Sequence, residues 1–160
     1  MIYQKTTDMV QIKKCTFEHI TKSYPCKEKS VLDGCMIMRQ SIKPEDVQSP
    51  FQVEAYALLF CISGEVNIIS DLRSYTVTPG TLFVYLPNNI IKIDCKKESI
   101  ISEVILASDY LRKNFLQWNK ISPLFIQTTN NPVITIPTNR RDELIRMLDN
   151  IQERIKTATC

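Results

Sequence analysis

The sequence predicts a mainly β fold, an antiparallel barrel or sandwich followed by helices, on three observations. Between Ala55 and Ala107, six apolar runs of about 4 to 8 residues, the length of strands, are separated by turn-forming residues. No helical pattern of about 10 to 15 residues interrupts the series, which excludes βαβ crossovers and leaves antiparallel connections. From Ser108 onward the apolar spacing becomes that of a helix. A small barrel of this kind has an interior that can hold a small ligand.

In chain order, residues 1–30 form a polar N-terminal arm containing Tyr24-Pro25, with one short strand around Cys15 to Ile20. Residues 31–107 form the barrel. Its first strand, Cys35 to Ile42, follows the Asp33-Gly34 turn, and Lys43 to Pro50 is a loop with two prolines. Next come Ala55–Ile62 before Ser63-Gly64, Val66–Ser70 before Asp71, and Ser74–Val77 before Thr78-Pro79-Gly80. Leu82–Leu86 before Pro87-Asn88-Asn89, then Ile90–Asp94 and Ile100–Ala107, complete the series. The three glycines, Gly34, Gly64 and Gly80, all stand where this pattern requires a turn.

Residues 108–160 form a helical extension. Ser108 is placed to cap a helix with Asp109 in its first turn and Leu111, Phe115 and Trp118 at helical spacing, ending before Pro123. A short strand at 133–136 lies inside Asn131–Pro137. Thr138 is placed to cap a last helix, 138–156, with Asp142 and Glu143 in its first turn. Leu144, Ile145, Met147, Leu148, Ile151 and Ile155 make its apolar stripe, opposite Arg140, Asp142, Arg146, Asp149, Asn150 and Glu153. Two uses of the stripe stay open: packing back on the barrel, or pairing from Leu148 to Ile155 with a partner helix. The candidate homodimer contacts are Leu144, Leu148, Ile151 and Ile155. The chain stops with Lys156 to Cys160 at the end of that helix, with no cap or tail, so it reads as a domain of a longer protein.

Composition excludes several classes. Hydrophobic residues make up 44% and charged residues 23%, ordinary for a globular domain. The longest apolar run is eight residues, too short to span a membrane. A net charge of +3, with basic residues scattered in pairs such as Lys13-Lys14 and Arg140-Arg141, does not make a nucleic-acid surface. The six cysteines contain no CxxC pair, and the N-terminus lacks the apolar core of a secretory signal; free thiols in the cytoplasm are expected.

Chemistry has little to stand on. His19 is the sole histidine and has no ligand or carboxylate partner at motif spacing, so neither a metal site nor Ser/His or Cys/His catalysis is expected. With three glycines in all, there is no phosphate-binding loop. Of the strand carboxylates Glu54, Asp94 and Glu103, none has an obvious partner, and Glu103 is read as facing solvent. No catalytic residue, metal or cofactor is expected. What remains is an apolar, aromatic interior. In Ala55–Ile62 the large side chains Tyr56, Leu58, Phe60 and Ile62 share one face, taken as the interior one, and Ala55, Ala57, Leu59 and Cys61 the other. Met38, Tyr56, Phe60, Phe83 and Tyr85 are the candidate lining of a pocket for a small apolar or aromatic effector, in which a tyrosine hydroxyl orients the ligand; a core filled by the same side chains is the alternative.

The run LLFCISGEVNIISDLRSYTVTPGTLFVYLPNNIIKI (Leu58 to Ile93) resembles the N-terminal sensing and dimerisation domain of AraC-type transcription regulators, a cupin-like double-stranded β-helix or jelly-roll barrel. The matching pieces are Ser63-Gly64-Glu65-Val66, Tyr75 to Gly80, and Leu86-Pro87-Asn88-Asn89 before Ile90-Ile91, followed in order by ILASDYL, NPVITI and the last helix. The resemblance covers about Val53 to Lys156. It implies a non-catalytic domain that senses a small molecule and dimerises, its parent protein contacting DNA through a C-terminal domain with two helix-turn-helix motifs absent from this chain. Metal-dependent cupins place histidines and a glutamate where Asn67, Ile68 and Phe83 stand here, and Gly64-Glu65 leads straight into a strand without the phosphate cassette of cyclic-nucleotide-binding domains. The alternatives are a free-standing small-molecule-binding cupin, or a metal-free isomerase or epimerase using Glu103, Tyr56 or Tyr85 as its base.

Overall fold

Two sheets face one another across an apolar interior in the computed structural model, which describes residues 12–23, 29–46, 49–114 and 118–159. The N-terminal elements are β1 (Lys13–Cys15), α1 (Phe17–Ser23), β2 (Lys29–Leu32), β3 (Cys35–Ile42) and β4 (Phe51–Val53). The central series is β5 (Tyr56–Ser63), β6 (Val66–Ser70), β7 (Arg73–Val77), β8 (Thr81–Tyr85), β9 (Ile90–Asp94) and β10 (Ser99–Leu106). The remainder is α2 (Ser108–Asn114), α3 (Trp118–Gln127), β11 (Val133–Thr135), a 3-10 turn (Thr138–Arg140) and α4 (Arg141–Thr159). One sheet has the order β1-β4-β9-β6-β7, the other β11-β8-β5-β10-β3-β2. The fold is mostly β, with helices after the barrel, as the strand rhythm predicts.

Turn chemistry sets the central hairpins. Asp71 and Leu72 both have positive φ (46° and 72°), the twist-matched conformation of a two-residue hairpin between β6 and β7. The Asp71 carboxylate accepts from Ile90 N–H at 2.9 Å and Asn89 Nδ2 at 2.7 Å, tying that turn to the Pro87–Asn89 corner. At Gly64, φ is 86° and an added Cβ would lie 2.8 Å from Ser99 Cβ. Ser99 occupies that space because its hydroxyl is bonded to both the N–H and the carbonyl of Glu65, each at 3.1 Å. Close approach and backbone conformation together require glycine there.

The arm departs from expectation. The strand expected around Cys15 to Ile20 is instead β1 ending at Cys15 and α1 beginning at Phe17. The reason is a cap: Thr16 Oγ1 accepts from His19 N–H at 3.2 Å, and the Thr16 carbonyl receives Ile20 N–H at 3.1 Å. β1 pairs with β4 in parallel, the exception to the expected antiparallel pattern among the described residues. Neither β2 nor β4 was expected; β4 is three residues long, too short for a period to show.

The C-terminal half also differs in detail. Ser108 is the first residue of α2, and Ala107 carbonyl accepts Leu111 N–H at 3.2 Å, so Ser108 lies just inside the helix rather than capping it. The helix expected to Trp118 is α2 to Asn114 and a separate α3 from Trp118; the expected core position Phe115 lies outside the described residues. Pro123 does not end a helix: it is the sixth of the ten residues of α3, where its missing N–H forgoes the one intrahelical bond to the Asn119 carbonyl. Thr138 opens a 3-10 turn with no side-chain cap, and α4 proper starts at Arg141, keeping Asp142 and Glu143 in its first turn.

α4 lies on the outer face of the six-stranded sheet. Leu148 and Ile155 are buried, at 6% and 5% exposure, and Leu144 is half-buried, whereas Met147 and Ile151 are 51% and 41% exposed. Most of the stripe is therefore used within the chain. Of the four candidate dimer contacts, Ile151 alone remains exposed. Arg39 of β3 donates to Asp149 of α4 at 2.7 Å, with the side chains 27% and 48% exposed. That exposure keeps the pair modest: Asp149→Asn is expected to cost less than about 1 kcal/mol in urea denaturation.

Candidate functional site

The interior is built by strand parity. Antiparallel registers place Glu103 of β10 opposite Met38 of β3 and Leu59 of β5, Leu59 opposite Phe83 of β8, and Phe83 opposite Val133 of β11. Directly opposed residues share a face, so these five form one row across the inner side of the sheet. The neighbouring row is Met36, Ile105, Ala57 and Tyr85. Val66, Ile68, Ile91 and Ile93 of the other sheet belong to the same buried cluster. Rings of Tyr75 and Phe83, 5.5 Å apart between centroids, join the two layers, and within β8 the Phe83 and Tyr85 rings are 5.3 Å apart.

Met38, Phe83 and Tyr85 thus meet in the interior, each at most 2% exposed. Tyr56 and Phe60 do not join them. They lie on the opposite face of β5, correcting the expectation that the large side chains of this strand point inward. The inner face carries Ala57, Leu59 and Cys61. The narrow space is filled by rings from β7 and β8, leaving room only for smaller groups from β5. On the outer face the Tyr56 ring lies 4.9 Å from that of Phe125 in α3. Phe60 and Ile62 line a crevice with Arg141, Leu144, Ile145 and Leu148 of α4. Its volume is about 20 Å³, room for one or two waters and not for an organic effector.

Glu103 is the second correction. Instead of facing solvent it is 4% exposed and inward, flanked on its own face by Ile101 and Ile105. Burial alone pushes its carboxyl up to about 7. Among the described residues its carboxyl has no hydrogen-bond or ion-pair partner. The sequence signal was ambiguous because both faces of SIISEVIL carry isoleucine or valine, so alternation alone did not say which set turns inward.

The other candidates for chemistry are structural. Cys61 is buried and its thiol is pushed up to about 11, first by burial and then by the charge of Glu65; it stays protonated and points to the Ser63 and Gly64 carbonyls. Cys15, Cys35, Cys61 and Cys95 are free thiols. His19 shares a 3.0 Å hydrogen bond with Thr16 at the start of α1. Among the described residues no group of three or more His, Cys, Asp or Glu side chains is placed to hold a metal ion, and no helix is long and apolar enough to cross a membrane.

No protein-family profile matches the chain, and no curated protein matches it. Solved structures do. ToxT from Vibrio cholerae, an AraC-family protein solved bound to (E)-4-(8-methylnaphthalen-1-yl)but-3-enoic acid, superposes with a TM-score of 0.51 at 14% identity, over 79% of this chain and 54% of that one. A cupin superfamily protein from Desulfitobacterium hafniense gives a TM-score of 0.47 at 18% identity, over 49% of this chain and 72% of that one. The EutQ protein of Clostridium difficile gives 0.43 at 16% identity, over 48% and 60%. The chain therefore spans little more than half the length of ToxT and of EutQ. At these identities the likeness is one of fold, a cupin-type barrel.

Proposed function

We propose that this chain is the effector-sensing and dimerisation domain of a DNA-binding transcription regulator of AraC type, and that it is not catalytic. The observation that carries the reading is the extent of the likeness to ToxT. The stretch from β2 to β10 is only about half of the chain, whereas the likeness covers 79% of it. The barrel supplies a closed apolar interior, and α4 is docked on the outside of the same sheet through Phe60, Leu144 and Leu148. A small molecule that favours one packing of that sheet shifts the position of α4, and with it whatever follows in the parent protein. Sequencing the native gene across codon 160 tests this. An open frame encoding a basic helical domain with two helix-turn-helix patterns is the expected result; a stop codon there would remove the DNA-binding role and leave a free-standing ligand-binding cupin.

A further inference from the structure

We propose that Glu103 is a proton-operated latch that sets how firmly α4 is held on the barrel. The inference rests on the sensing reading and names its signal as the hydrogen ion. Glu103 sits mid-strand, between Met38 and Leu59 across the sheet and between Ile101 and Ile105 along it. Those four side chains are at most 3% exposed and fill the interior around the carboxyl. A proton is a signal that needs no room there. Among the described residues the carboxyl has no partner, whereas the hydroxyl of buried Ser99 is bonded to the Glu65 backbone.

Strand parity joins this interior to α4. On β3, Met38 faces Glu103 and the next residue, Arg39, donates to Asp149 of α4 at 2.7 Å. On β5, Leu59 faces Glu103 and the next residue, Phe60, lines the seam with Leu144 and Leu148 of α4. Both strands therefore carry a neighbour of Glu103 on one face and a contact of α4 on the other, one residue apart. Protonated, the carboxyl is neutral and the rows stay closed. Ionised, it is an unpartnered charge in an apolar row, relieved only when the middle of β10 opens to water and disturbs Arg39 and Phe60 with it. Burial is the sole cause that raises this group, to about 7. The other titratable groups in that core are Cys15 of β1, Cys61 of β5, Tyr75 of β7 and Tyr85 of β8, none of which supplies a positive charge. From α1, Phe17 and Ile20 enter the core, and His19 is bonded to Thr16 at the surface.

Hydrogen exchange of the β10 and α4 amides at pH 6 and pH 8, corrected for the intrinsic effect of pH on exchange, tests the latch. With the carboxyl at about 7 in the closed barrel and 4.5 once open, opening is expected to rise about tenfold between the two pH values. The rise should appear in both elements and vanish in Glu103→Gln, which is neutral throughout. Glu103→Met is a second neutral variant and gives the same comparison where the glutamine protein does not fold. Carbon-13 NMR of the wild-type Glu103 carboxyl should show it titrating near 7. A carboxyl that titrates below about 5, no rise in wild type, a rise confined to β10, or a rise that persists in the neutral variants would each overturn the inference. The DNA-binding reading fails separately, on the gene beyond codon 160: a stop codon there with the tenfold rise intact leaves the latch in a free-standing barrel.

Discussion

Glu103→Met is expected to stabilise the protein by about 3 kcal/mol at pH 8, with a gain that shrinks as pH falls toward 5. The sign follows from the direction of the shift. The carboxyl titrates near 7 in the folded chain against 4.5 for an ordinary glutamate, so between those values the folded state holds a proton that the unfolded state has released. Stability then falls as pH rises through that window, and above about 7 the full penalty of an ionised, unpartnered carboxylate is present. Methionine is larger than glutamate by about one methylene but flexible, like the neighbouring Met36 and Met38, so overpacking takes back only part of the gain. Urea denaturation of both proteins at pH 5 and pH 8 isolates the effect, because every other titrating group cancels in the difference. A gain of the same size at both pH values would show that Glu103 is not ionising inside the barrel.

Much of this architecture was legible because strands of this length leave a strong local trace. β3, β6 and β9 have the predicted limits, and the turns at Asp33-Gly34, Ser63-Gly64 and Thr78-Pro79-Gly80 lie where glycine has positive φ. What was not legible was which side of a doubly apolar strand turns inward. In β5 every residue from Tyr56 to Ile62 is at least half-buried, so alternation carries no inside-outside signal. The choice is made by volume: rings of Tyr75, Phe83 and Tyr85 occupy the interior, and those of Tyr56 and Phe60 go beneath the helices. Glu103 was misplaced for the same reason, since an isolated carboxylate is assigned to solvent unless a partner is visible. α1 was missed because its cap, Thr16 to the His19 N–H, is a single hydrogen bond ahead of a seven-residue helix.

Leu148→Asp is expected to cost about 4 kcal/mol or more, because it removes a leucine from the seam with Phe60 and Ile145 and puts a carboxylate there. Ile151→Asp, one turn along the same stripe, should change stability by less than about 0.5 kcal/mol, since that side chain is 41% exposed. The contrast separates the two uses of α4. Loss of a dimer in the Leu148 variant would be no sign of an intermolecular contact, because the helix itself has come off the sheet. Loss of a dimer in the Ile151 variant, at unchanged stability, would place the partner against the exposed Met147 and Ile151 edge. Light scattering on wild type and Ile151→Asp, paired with urea denaturation, reads both quantities. A wild-type dimer whose mass survives Ile151→Asp would reject Ile151 as a dimer contact and confine Leu144, Leu148 and Ile155 to holding α4 on the barrel.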